Sequence, residues 1–420
     1  LRVCVVGLGK IGLPVAVQYA SKGLSVVGCD VDDELVRRVN AGEAPWPGEA
    51  GLADGLAAAR RDGRLEATTD AASAVRECQV VVLIVPVGLT EGRSADFSAL
   101  DEAAASVAGG LSRGALVVLE TTVPVGTTRN RLGPALEASG LRAGADFHLA
   151  FSPERVSVGR VLADLKAYPK VVGGTDEEST QAAAQFYLEA LDAEVLTVSG
   201  AEAAEFVKLA ETVYRDVNIA LANELAQEAD RWGIDVDEVI AAANSQPFSH
   251  IHRPGVGVGG HCIPVYPYFL GEAAHSRLAS ASREVNDAMA RYGVERLAAA
   301  LGTLEGKTVL ILGVAYRANV KEAANSSAFA LALELTSRGA DVIAHDPLFS
   351  AQEIEALGLR PADPFPPPHV DALVLQAAHE EYRKLDLGTF AGCAALLDGR
   401  NALSPREVEA AGIRYVGIGR

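Results

Sequence analysis

Cysteine is scarce in this chain of 420 residues: five, at positions 4, 29, 78, 262 and 393, far apart, odd in number and without a CxxC pair. That spacing excludes a disulfide framework and a zinc or other metal site of the cysteine type, and it fits the reducing cytoplasm. Positive charge is also short. Lys and Arg number 37 against 55 Asp and Glu, a formal net charge of −18. Such a balance argues against a general surface for nucleic acid or anionic membrane, while leaving room for a local basic pocket that holds a small anion. No apolar run is long enough to span a bilayer. The opening "LRVCVVGLGKIGLP" lacks the charged start and cleavage site of a signal peptide and reads as a strand and turn. No repeat of solenoid period is present.

What is there suits a globular protein of two or three domains, with 49% hydrophobic and 22% charged residues. "RVCVVGLGKIGLPVAVQYASKGLSVVGCDVD" makes a βαβ unit. Val3 to Val6 is a continuous apolar run, as expected of a buried parallel strand. Gly7, Gly9 and Gly12 form GxGxxG at the strand-to-helix turn, with Lys10 and Ile11 inside it. A second strand, Leu24 to Cys29, ends in Asp30, placed to hydrogen-bond an adenosine ribose and to repel a 2′-phosphate. With strand, helix, second strand and acid in register, the motif favours NAD over NADP.

The βα rhythm continues through "CQVVVLIVPV" (78–87), "GALVVLETTVPVGTT" (114–128) and "DFHLAFSPERVSVGR" (146–160). Ligands bind beyond the C-terminal ends of such strands, so Val85, Pro86, Thr121 and Thr122 are cofactor-side candidates. Glu154 and Arg155 emerge together at the third strand end, ready for catalysis and phosphate binding or simply to pair with each other. From about 200 to 235 the pattern turns helical, with Phe206, Ala210, Val213, Val217, Ala220 and Leu221 as an apolar stripe. Lys208, Thr212, Arg215 and Ile219 lie on a neighbouring stripe, where Lys208 by itself reads as a solvated surface lysine. From about 305 a second α/β half follows, without GxGxxG. It is expected to hold something other than a dinucleotide pyrophosphate in the usual way.

The stretch "HRPGVGVGGHCIPVYPYFL" (252–270) sets four glycines before Cys262 and two prolines after it. It reads either as a loop carrying a nucleophilic thiol or as a tight loop with a small buried hydrophobe.

Across essentially the whole chain, "GLGKIGLP", "ETTVPVGTT", "SPERVSVG", "KVVGG", "EFVKLAETVYRDVNIALANELA", "PGVGVGGHCIP", "HDP" and "DGRN" resemble the UDP-glucose/GDP-mannose dehydrogenase family. The helix and glycine-loop wording is most similar to its UDP-N-acetylmannosamine dehydrogenase branch. The resemblance implies two Rossmann-like α/β domains joined by a long central helix and a small helical middle domain. Their expected bounds are 1–198 for NAD, 199–300 for dimerisation and 301–420 for the UDP-sugar. It implies a cytoplasmic homodimer that oxidises the C6 alcohol of a UDP-N-acetylhexosamine, such as UDP-N-acetylmannosamine, to the uronic acid for polysaccharide or secondary-metabolite synthesis. By resemblance, Cys262 is the nucleophile that forms a thiohemiacetal and then a thioester, which water cleaves. Lys208 stabilises developing oxyanions, Glu154 is the general base through a water, and Thr122 positions that water. Arg253, Arg317 and Arg400 contact the nucleotide sugar. Glu154, Arg155, Val156, Lys208, Arg215, Asn218, His252, Gly255, Gly259 and Tyr316 complete the implied substrate set.

Three positions depart from the family pattern. Thr212 stands for the usual asparagine, Tyr266 for an aspartate four residues after the cysteine, and Ala324, in "EAANS", for an arginine. Tyrosine removes a negative charge and a base, and alanine removes a cation. Two alternatives follow. One is altered chemistry in the same pocket, either a single oxidation to the aldehyde or hydride removal and return that epimerises the sugar. The other is a non-catalytic nucleotide-sugar-binding partner subunit. Asp235 and Glu211 are candidates for a rebuilt acid.

Overall fold

Unbroken Val, Ile and Leu runs form strands that are buried on both faces, the pattern of parallel sheets sandwiched by helices. The computed structural model describes residues 1–46, 48–271, 276–390 and 392–420. They divide into two compact units: residues 1–211 with a short piece from Tyr268, and residues 212–267 with 276–420.

The first unit holds an eight-stranded sheet. Its order is Val195–Thr197, Lys170–Gly174, His148–Phe151, Leu116–Leu119, Val80–Leu83, Arg2–Val6, Ser25–Cys29, Leu65–Thr68. Neighbours run parallel except His148–Phe151 and Lys170–Gly174, which are antiparallel, with Phe151 facing Gly173 and Ala150 facing Gly174. The reversal matters. It sets the first residue of one strand, Lys170, level with the segment that follows the last residue of the other. The strand order reverses between Arg2–Val6 and Val80–Leu83, which opens a crevice at their C-terminal ends. Helices Gly12–Ser21, Leu52–Arg61 and Glu177–Ala190 bury their apolar residues in this unit's core.

The second unit holds a five-stranded parallel sheet, ordered Asp341–His345, Thr308–Leu312, Ala372–Leu375, Ala395–Asp398, Arg414–Gly417. Helices Ser327–Ser337 and Arg277–Leu301 supply much of its core, through Leu331, Leu335, Met289, Val294 and Leu297. Both units repeat one turn. Gly7 N–H donates to Cys29 O at 2.7 Å and Gly313 N–H to His345 O at 2.8 Å, with φ of 96° and 103°. Leu8 N–H then donates to Asp30 at 2.7 Å, and Val314 N–H to Asp346 at 2.8 Å. The acids differ in what else they meet. Asp346 is buried and accepts from His379 Nε2 at 3.1 Å. His379 Nδ1 takes the Asn319 N–H, so Nε2 carries the ring proton. A side chain thus fills the place beside Asp346, a physical reason for the second half to bind differently.

The central helix runs from Ala201 to Trp232. Its expected apolar stripe is partly exposed: Ala220 is buried, but Phe206 is 48% exposed and Leu221 45%, and Tyr214 and Trp232 join them at 57% and 73%. On the neighbouring stripe Lys208 and Thr212 are buried, at 8% and 5% exposure, while Arg215 is exposed. Lys208 is therefore not a solvated lysine.

Candidate active site

In the first unit the GxGxxG turn is built by close approach. A Cβ on Gly12 would lie 1.9 Å from Gly7 O, so only glycine lets the helix start against the turn. At Gly9 a Cβ would meet nothing within 4 Å, which leaves that backbone face open. Asp30 uses one oxygen for Leu8 N–H and the other for Asp32 N–H at 3.1 Å, and stays only partly buried. An open backbone turn, a helix N-terminus and an acid at the next strand end fit a dinucleotide with a free 2′-hydroxyl. Lys10, Ile11 and Val85 are half-buried and Pro86 is exposed at the same strand ends. Thr121 Oγ1 donates to Val85 O at 2.5 Å, joining two of these loops, and Thr122 beside it is buried.

Glu154 and Arg155 do not pair with each other. Arg155 pairs with Glu211 at 2.5 Å and donates to Pro169 O at 3.1 Å. That pair also occupies Glu211, one candidate for a rebuilt acid. Glu154 Oε1 accepts from Arg155 N–H at 2.7 Å and Val156 N–H at 3.0 Å, and Oε2 from Lys170 Nζ at 3.1 Å. Lys208 Nζ donates to the Glu154 carbonyl. Burial pushes the Glu154 carboxyl up, but the Lys170 charge and these hydrogen bonds outweigh it and hold it below its ordinary value.

Lys170 also lies 3.3 Å from Glu120, a fully buried carboxylate that accepts from Tyr19 Oη at 3.2 Å and from Tyr187 Oη. Burial pushes Glu120 up, with Lys170 acting against it. Burial alone would pull Lys170 down, but the two carboxylates reverse this and keep it charged. Sequence reasoning missed Lys170 and Glu120. The signals were a lysine opening the buried run "KVVGG" and a glutamate closing "LVVLE".

In the second unit, Gly255 to Cys262 forms a loop held at several points. Asn223 Oδ1 accepts Gly255 N–H at 2.9 Å, Gly399 O accepts Val256 N–H at 3.0 Å, and Arg400 donates to Gly257 O at 3.0 Å. Burial pushes the Arg400 pKa down to about 10, and one guanidinium nitrogen is buried without a partner. Ala324 O accepts Gly260 N–H at 2.8 Å and Asn325 donates to Gly260 O at 3.1 Å, so the segment that departs from the family still grips the loop. A Cβ on Gly259 would lie 2.7 Å from the Tyr316 Cβ, so glycine admits that tyrosine. Tyr316 feels Arg317, Cys262, Glu322 and Arg215 as neighbouring charges, and burial raises its pKa above the ordinary value. Cys262 is half-exposed while the other four cysteines are buried. Its carbonyl accepts Tyr266 N–H at 2.9 Å, which starts the turn into helix Tyr266–Gly271. Asn218 is spent on the loop: it accepts His252 N–H at 2.9 Å and donates to His250 O at 2.8 Å. Arg215, Arg253 and Arg317 are exposed. Asp235 caps helix Val236–Ala243 and pairs with Arg420 at 3.4 Å, a structural duty. Among the described residues no cluster of His, Cys, Asp or Glu is placed to hold a metal ion.

Three sequence models match the chain: the NAD binding domain, central domain and UDP binding domain of the UDP-glucose/GDP-mannose dehydrogenase family, at residues 1–191, 202–288 and 310–405. The chain is 33% identical to a UDP-N-acetyl-D-mannosamine dehydrogenase of Pyrococcus horikoshii, covering 100% of this chain and 99% of that one. It is 34% identical to an NDP-N-acetyl-D-galactosaminuronic acid dehydrogenase of Ralstonia solanacearum, covering 91% and 92%. A solved UDP-D-ManNAc dehydrogenase structure from Pyrococcus horikoshii superimposes with a TM-score of 0.89 at 32% identity, over 100% of this chain and 99% of that one.

Proposed function

The chain belongs to the UDP-glucose/GDP-mannose dehydrogenase family, and from that premise we propose that it oxidises the C6 alcohol of a UDP-N-acetylhexosamine, such as UDP-N-acetylmannosamine, to the carboxylate. It is an NAD-dependent oxidoreductase of the nucleotide-sugar dehydrogenase class. Gly7, Gly9, Lys10, Ile11, Gly12, Asp30 and the Val85 and Thr121 loops would hold the cofactor. Bound NAD supplies the hydride acceptor, once for each of two oxidations.

The observation that carries the reading is that Cys262 is the one cysteine of five that reaches the surface, at the end of a loop fixed by five hydrogen bonds to its backbone. A thiolate adds to the C6 aldehyde and forms a C–S bond and an oxyanion. Loss of hydride leaves a thioester. Water then adds, the C–S bond breaks, and thiolate and carboxylate result. Lys208, buried beside Glu154, would stabilise the oxyanion, and Glu154, held ionised, would take the proton of the attacking water with Thr122 orienting it. Arg215, Arg253 and Arg317 are exposed and suit a diphosphate.

The exposed Phe206, Tyr214, Leu221 and Trp232 along one helix support a homodimer. Free thiols support a cytoplasmic location, and a uronic acid product suits polysaccharide synthesis. No described helix is long and apolar enough to cross a membrane.

The test counts NADH per sugar, with NAD and, in separate reactions, UDP-N-acetylmannosamine and UDP-N-acetylglucosamine. Two NADH, with one oxygen gained and two hydrogens lost, is the expected outcome. One NADH would favour the single oxidation that Tyr266 suggests by replacing a carboxylate one turn beyond the thiol. No NADH with both ligands bound would sink the reading in favour of a binding subunit.

A further inference from the structure

We propose that Lys170 and Glu120 are positioning residues for Glu154: the ammonium, gripped from behind by Glu120, holds the Glu154 carboxylate oriented and ionised for proton transfer. The proposal deepens the reading of Glu154 as the general base and rests on it.

Geometry carries it. Lys170 is 5% exposed and lies 3.1 Å from Glu154 and 3.3 Å from Glu120. Its ammonium also sits over the Tyr187 ring, 5.0 Å from the centroid. A lysine this deep stays charged only when paired, and one carboxylate would suffice for that. The second has another use. Glu120 is anchored by two tyrosine hydroxyls, so it fixes the ammonium, and the fixed ammonium fixes Oε2 of Glu154. Two backbone N–H groups fix Oε1. The environments divide the two carboxyls in the way that separates acid and base roles: one sealed between tyrosines, the other at the rim.

The reversed strand makes the arrangement possible. In a parallel strand the first residue would lie at the opposite edge of the sheet. Antiparallel pairing delivers Lys170 to the edge where Glu120 and Glu154 end up. The titratable and charged groups near Glu154 include Lys170 on its strand, Glu120 after Leu116–Leu119, Tyr19 on Gly12–Ser21, Lys208 on the central helix, Asp164 on Val161–Ala167, and Arg155 and Tyr168 in the adjoining loops. Lys170 donates to the Glu154 carboxylate through its ammonium at 3.1 Å. Opposite charge at this range lowers a carboxyl pKa by about 1–3 units.

The test titrates the intact protein carrying 13C-labelled glutamate carboxyls, with the Glu154 signal assigned by its loss in Glu154→Gln. In Lys170→Met the Glu154 midpoint is expected to rise by about 1–3 pH units, and the acid limb of turnover with UDP-N-acetylmannosamine to rise with it. Lys170→Arg should restore most of the shift. If Lys170→Met does not fold because Glu120 is left uncompensated, Lys170→Met/Glu120→Gln removes both charges; the Glu120 carboxylate itself raises Glu154, so the expected rise is smaller but in the same direction. An unmoved midpoint in whichever variant folds overturns the proposal. The base reading fails separately, if Glu154→Gln retains wild-type turnover.

Discussion

Asn223 accepts the Gly255 N–H at 2.9 Å while its own amide donates to Asn286 at 2.8 Å. Asn286 in turn donates to Asp216 at 2.8 Å, and Asp216 accepts from Arg283 and from Ser282 at 2.7 Å. A buried polar chain between two long helices therefore ends on the backbone of the loop that bears Cys262. Asn223→Ala should leave Gly255 N–H unsatisfied and cost about 1–3 kcal/mol in a urea melt. It should lower turnover more than it raises the KM for NAD.

Alkylation should single out Cys262. In native protein, iodoacetamide is expected to add one carbamidomethyl group, located by peptide mass at Cys262, because the other four thiols are buried. Cys262→Ala should take up none and lose uronate formation by about a thousand-fold or more.

Gly12→Ala should abolish cofactor binding, because the added methyl would meet Gly7 O at 1.9 Å. The wild-type protein at NAD concentrations a hundred times Kd gains about 2.7 kcal/mol, seen as a rise in Tm. The variant should show no NAD-dependent rise.

His345 predicts a pH dependence of stability. Its ring stacks on Phe365 at 3.5 Å and lies 2.9 Å from Tyr382 Oη, with Asp346 and His379 nearby. Burial pushes its pKa down to about 4 from 6.5, against the pull of Asp346. The folded protein thus binds fewer protons here than the unfolded chain. Its contribution is complete above about pH 6.5 and is lost as pH falls toward about 4. His345→Phe should narrow the stability gap between pH 7 and pH 4.5 by on the order of 1 kcal/mol, since the ring is half-exposed and solvent screens it. Urea melts at the two pH values would check it, and an unchanged gap would remove His345 as the cause.

The βαβ unit, the strand runs and the central helix were legible because each carries a local pattern: an apolar run, a GxGxxG turn, a helical stripe. The family and its cofactor were legible for the same reason. Strand Arg414–Gly417 and helix Arg277–Leu301 were not, the first being short and opening on polar Arg414 and Tyr415, the second mixing charges into its buried face through Arg283 and Asn286. On the central helix Lys208, which by itself reads as solvated, is buried. Phe206 faces out and Lys208 in, because the buried side is specified by partners far along the chain such as Glu154. Lys170 escaped because attention falls on the last residues of strands, and its strand runs the other way.

His379 gives the second unit a ligand of its own. The protein carries two turns of one design, and in one of them an imidazole from the same chain is already seated against the acid. The place beside Asp346 is taken by a hydrogen-bonded side chain of the same chain, and Asp346 still gathers Val314, Ala315 and Leu348 N–H. NAD is expected to saturate at one molecule per chain, because His379 fills beside Asp346 the place that the Asp30 turn leaves open.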